Sequence, residues 1–119
     1  FLKPSTIEEC IQKVKKKSYD SSFIAKYYRR LAWYKNKPIN FDIKSKSTPH
    51  LEKLEPIQVE ASTLYVIPKE KFLKTRSRIG KNPFIKEIGD FEGFEVDKRD
   101  DREIAELIIN AGLDRNINE

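Results

Sequence analysis

At 119 residues, with 38% hydrophobic and 36% charged residues, the chain is one modest domain, or a piece of one, with a thin core. No apolar run approaches the roughly 18–20 residues that cross a bilayer, and no secretory-type leader is recognisable, so the cytoplasm is the expected address and no membrane partner is expected. One cysteine, Cys10, and one histidine, His50, exclude an internal disulfide, cysteine-cluster zinc and most histidine metal centres.

Charge is distributed unevenly. Residues 1–81 carry 19 Lys/Arg against 8 Asp/Glu, a balance of +11, while residues 82–119 carry 5 against 11, a balance of −6. A uniformly basic nucleic-acid binder would not end in such an acidic quarter. Anionic substrates at the basic part, a cation at the acidic part, or self-association through opposite charge fit equally. The chain contains no methionine and starts at Phe1, which reads as a fragment or a processed product.

Taken in order, Ser5-Thr6-Ile7-Glu8 has the form of a capping box, and Ile7, Ile11 and Val14 recur at helical spacing beside Cys10. A helix is expected over 5–17, with Lys15-Lys16-Lys17 favourable at its carboxyl end. Cys10 reads as a small packed residue. Ser22 to Tyr27 reads as a strand after the turn Tyr19-Asp20-Ser21. Leu31-Ala32-Trp33-Tyr34 and Pro38-Ile39-Asn40-Phe41 flank Lys35-Asn36-Lys37 as a hairpin arm, and Pro38 puts its second half at an edge.

Residues 42–55 are polar and aperiodic, hence a loop with His50 on its surface. Ile57 to Ile67 is the longest strand signal, and Lys69 to Thr75 forms a helical turn or two. Gly80 to Pro83 is a turn. Phe84 to Ile88 and Phe94 to Val96 read as short strands. Asp100 or Asp101 then caps a helix presenting Ile104, Leu107, Ile108 and Ala111 on one face and ending at Gly112. Loose alternation of strands and helices favours an α/β layered sheet, and two confident helices cannot cover both of its faces.

Two groups carry chemistry. If 94–96 is a strand, Glu95 and Asp97 share a face and could hold a hard cation such as Mg²⁺ with oxygen donors. The bland counterpart is a solvated edge beside an acid-decorated helix start. The stretch Tyr27-Tyr28-Arg29-Arg30-Leu31-Ala32-Trp33-Tyr34-Lys35 interleaves aromatics and cations. It would suit stacked bases, or the anchors of a protein interface. The interface is favoured, because Leu31, Trp33, Ile39 and Phe41 place apolar groups on a hairpin with little body beneath it. No glycine-rich phosphate cradle, nucleophile elbow or Cys-His pair occurs.

Several strings nevertheless fall in a characteristic order: Phe1-Leu2-Lys3-Pro4-Ser5-Thr6-Ile7, Tyr19-Asp20-Ser21, Lys37-Pro38-Ile39-Asn40-Phe41-Asp42, Leu54-Glu55-Pro56-Ile57, Glu60 through Tyr65, Phe72 through Gly80, and Asn82-Pro83. On these the chain resembles the acylneuraminate cytidylyltransferases, or CMP-sialic acid synthetases, over nearly all 119 residues but only in their carboxyl-terminal half. The resemblance implies part of a Rossmann-like nucleotidyltransferase sheet with a protruding dimerisation hairpin, about residues 31–41. It implies transfer of CMP from CTP to a nonulosonic acid, with release of pyrophosphate and with Mg²⁺.

By the same resemblance Glu60, Ala61 and Ser62 line the sugar pocket, partly through backbone groups, and Glu95 and Asp97 hold the metal. Leu31, Trp33, Ile39 and Phe41 make a homodimer contact. The chain departs from the family pattern in three places: Glu95 stands for an aspartate, Thr63 for a glycine, and His50-Leu51-Glu52-Lys53 for an Arg-x-Gln-Asp loop. The loop that grips the CTP phosphates belongs to the family's amino-terminal half, so no catalytic residue is assigned and the chain alone is expected to be inactive. The reading from a different class is a non-catalytic dimerisation or RNA-binding module, resting on the +11 segment and the aromatic-cationic arm; nucleic acid is otherwise not the expected partner.

Overall fold

A computed structural model describes residues 1–114 and divides them into two compact units, one of residues 27–59 and one formed by residues 1–26 with the chain from Glu60 onward. The elements run α1 (Pro4–Lys15), β1 (Ser21–Tyr28), β2 (Trp33–Tyr34), β3 (Lys37–Pro38), a 3-10 turn (Leu51–Lys53), β4 (Ile57–Val66), α2 (Lys69–Thr75), β5 (Pro83–Glu87) and α3 (Arg99–Asn110). The fold is mixed α/β. Its main sheet has the order β4-β1-β5, with β5 parallel to β1 in the register Phe23 to Ile85.

β1 is the central strand, and its first five residues are buried on both faces. Alternation along it separates two environments. Ile24 packs with Cys10 of α1, Ala61 of β4 and Ile88, and Leu2, Leu64 and Val66 close around this cluster. Ser22 lies on the same side and donates to the Cys10 carbonyl at 3.0 Å. Phe23 points the other way and stacks on Tyr65 at 6.3 Å. α1 also lies along β5, where Glu9 pairs with Lys86 at 2.7 Å and the Lys13 ammonium sits 5.1 Å above the Phe84 ring. Burial of Cys10 pushes its thiol above the ordinary range, as expected of a packed, unreactive cysteine.

The capping box expected at Ser5 and Glu8 does not form. Pro4 takes the first helical position, so Lys3 becomes the N-cap and makes no side-chain cap bond. The start of the helix is held instead from 89 residues away: the buried Glu92 carboxylate accepts from the Lys3 amide at 3.1 Å and from the Thr6 hydroxyl. A negative group there also complements the helix dipole.

Two further expectations fail. Residues 94–96 form no strand, so the period-two rule that put Glu95 and Asp97 on one face does not apply. The inner face of α3 is not Ile104, Leu107, Ile108 and Ala111: only Ile108 of these is buried, and Leu107 is 67% exposed. Asp101 sits at the third helical position, where its Oδ2 accepts from the Lys98 amide at 2.8 Å and the Asp97 amide at 3.1 Å. Gly112 ends the helix at φ +71°, as the sequence predicts.

In the unit of residues 27–59, β2 and β3 pair antiparallel, Trp33 opposite Pro38 and Tyr34 opposite Lys37. Lys35 and Asn36 both have positive φ, the backbone of a tight hairpin turn. Asn40 secures the base of the arm, accepting from the Ala32 amide at 3.0 Å and donating to the Arg30 carbonyl at 2.8 Å. Among the described residues no helix is long and apolar enough to cross a membrane.

Candidate functional site

The residues with the most chemical content gather on β4. Ala61 is fully buried, packed with Cys10 and Ile24. Strict alternation would then bury Thr63 and Tyr65 on the same side and aim Leu64 away. The structure does the reverse: Leu64 and Val66 pack against the Ala61 cluster. The alternation therefore slips by one between Ala61 and Leu64, the effect an extra residue has in a bulged strand. Its consequence is local and chemical. Tyr65 comes onto the face carrying Glu60, and its hydroxyl donates to Glu60 Oε2 at 2.7 Å.

A third residue joins them. Arg78 Nη2 donates to the same Glu60 oxygen at 3.0 Å, and the Arg78 guanidinium carbon lies 5.1 Å from the Tyr65 ring centroid. Buried Phe23 of β1 stacks with the Tyr65 ring. The Tyr65 hydroxyl, foremost, and the Arg78 guanidinium hold the Glu60 carboxyl below its ordinary value, against a smaller opposing effect of desolvation. The cluster is an arginine placed over a tyrosine ring, with one carboxylate oxygen accepting from both.

The slip also touches the acidic segment. The Ser62 amide donates to Glu95 Oε1 across 33 residues of sequence. Glu95 is half-buried and Asp97 is exposed. Of the expected pocket residues, Glu60 and Ser62 are exposed and near Arg78 or Glu95, whereas Ala61 is fully buried in the core cluster and presents no surface to a ligand. Among the described residues no three His, Cys, Asp or Glu side chains come together as a metal-holding group. Glu95 thus has one oxygen already engaged, and a magnesium ion held at Glu95 or at Asp97 would draw most of its shell from water and phosphate oxygens.

The expected interface residues lie on the arm. Leu31 is 37%, Trp33 56% and Ile39 53% exposed, and Trp33 meets Phe41 edge-on at 5.3 Å. His50 is exposed, as expected. Sequence reasoning missed Tyr65 and Arg78 as members of the site. Tyr65 was hidden by the alternation rule, and Arg78 lies in a loop whose charge alone says nothing about where it reaches. The comparisons add no relative: no family model, no curated protein and no solved structure matches the chain.

Proposed function

We propose that this chain is the sugar-side part of a nucleotidyltransferase resembling the acylneuraminate cytidylyltransferases, acting on a nonulosonic acid and CTP. The observation that supports this reading is the hydrogen bond from the Ser62 amide to Glu95. It joins the strand expected to bind the sugar to the segment expected to hold the metal, two stretches that only the resemblance links in sequence. The slipped strand supports it as well, because bulges commonly aim side chains at a site.

In this reading the β4 face of Glu60, Ser62 and Tyr65 receives the sugar. Glu95 and Asp97 are the carboxylates that would hold Mg²⁺, which, when bound, offsets charge on the phosphates. This chain orients the sugar so that its anomeric hydroxyl meets the α-phosphate in line, and orientation of that kind accounts for a large share of such a barrier. The 119 residues include no glycine-rich phosphate cradle, so the chain alone is not expected to release pyrophosphate from CTP. The exposed apolar arm provides pairing with a second copy, a closed two-fold contact of the kind most soluble homo-oligomers use.

Isothermal titration with N-acetylneuraminate and related nonulosonic acids, against neutral hexoses, tests the reading. Selective binding of the acids is expected. Equal or absent binding of both classes would refute it.

A further inference from the structure

We infer that Arg78 is the receptor for the carboxylate of the ligand, and that Glu60 occupies it in the unliganded protein as an internal stand-in. The class of ligand, a sugar acid, rests on the function proposed above; the carboxylate-receiving role rests on the geometry of Arg78 alone.

A guanidinium has five donors in a rigid plane, and Glu60 engages one of its nitrogens through a single oxygen. That is half of the forked contact an arginine makes with a carboxylate when both are free to align. The other demand on a receptor is a held position, and Tyr65 contributes to it: the guanidinium carbon lies over its ring, 5.1 Å from the centroid, and Phe23 stacks with that ring at 6.3 Å. Exposure completes the case. The Arg78 side chain is 61% exposed and that of Glu60 37%, so an incoming anion can reach the guanidinium without opening the core. Glu60 is also tied independently to the Tyr65 hydroxyl at 2.7 Å. When a ligand takes Arg78, Glu60 keeps that bond and is not left unpaired.

A guanidinium edge can give two parallel hydrogen bonds to a charged carboxylate, and esterification removes both the charge and one of the two equivalent acceptor oxygens. Discrimination between an acid and its ester is therefore the signature.

The test is a titration of ¹⁵N-labelled chain, read at the Arg78 Nε–Hε correlation. The probes are N-acetylneuraminate, its methyl ester and pyruvate, each at millimolar concentration. N-acetylneuraminate and pyruvate should shift the Arg78 signal; the ester should not. Arg78→Lys keeps the charge but loses the fork, and should weaken N-acetylneuraminate at least about tenfold while leaving weak ester binding unchanged. Glu60→Gln removes the competing carboxylate and should tighten the acid several-fold.

An Arg78 signal unmoved by either carboxylate would overturn the inference. So would equal affinity for acid and ester, or weaker acid binding by Glu60→Gln. If N-acetylneuraminate shifts residues 60–65 but leaves Arg78 unmoved, the inference falls and the proposed function stands. If pyruvate shifts Arg78 but no nonulosonic acid binds, the proposed function falls and the receptor stands.

Discussion

Replacing Asp20 by asparagine keeps the side chain's shape and removes its charge at a point where four donors converge. Asp20 Oδ2 accepts from Lys71 Nζ at 2.9 Å, the Lys81 amide at 2.8 Å and the Asn82 amide at 3.0 Å, and Oδ1 accepts from the Ser21 hydroxyl at 2.8 Å. Desolvation acts to raise this carboxyl, but the bonds from Lys71, Ser21 and Asn82 outweigh it and bring it from 3.8 down to about 2. A shift of that size corresponds to about 2 kcal/mol of folding free energy, which solvent screening around the partly exposed Lys71 trims to about 1–2 kcal/mol. A depressed carboxyl contributes its stability above the unfolded value near 3.8 and loses it as pH falls through about 2. Urea denaturation of both proteins at several pH values reads this directly. Asp20→Asn should be about 1–2 kcal/mol less stable at pH 7, with the gap closing between roughly pH 4 and 2. A gap that is constant across this range, or no gap at pH 7, would refute the reasoning.

Gly80→Ala attacks the same node sterically: an added Cβ would collide with the Asp20 carboxylate, which is too well bound to step aside, so a loss of about 2–3 kcal/mol is expected by chemical denaturation. Ile24→Ala empties the centre of the core, where Ile24 is fully buried, and should cost about 2–5 kcal/mol in the same assay. Trp33→Asp places a charge on the exposed arm and should convert a dimer to monomer or aggregate in sedimentation analysis; a fully dimeric, equally stable variant would show that the arm is not the interface.

The regular elements were legible in the sequence because they obey local rules. β1 and β4 follow from β-branched and aromatic runs between turns, and α3 ends where Gly112 says it should. At two of the failures a long-range partner meets the local pattern. Ser5 looks like a cap until Pro4 starts the helix a residue early and Glu92 arrives from the far end of the chain to hold it. Phe94-Glu95-Val96 looks like a strand, yet Glu95 spends its carboxylate on the Ser62 amide. The site was half legible. Glu60, Ser62 and Glu95 could be named from resemblance, but Tyr65 could not join them until the slip in β4 reversed its facing. No local sequence rule placed Arg78 over Tyr65, because the chain between them includes all of α2 and the contact depends on where that helix delivers the chain.

The most direct test of the central claim is a residue-by-residue amide map of the ¹⁵N-labelled chain titrated with CMP-N-acetylneuraminate, with and without Mg²⁺. The account predicts shifts confined to residues 60–65 and Arg78 without the metal, extending to residues 95–97 when Mg²⁺ is added. Shifts confined to the arm, or none on β4 under either condition, would contradict it.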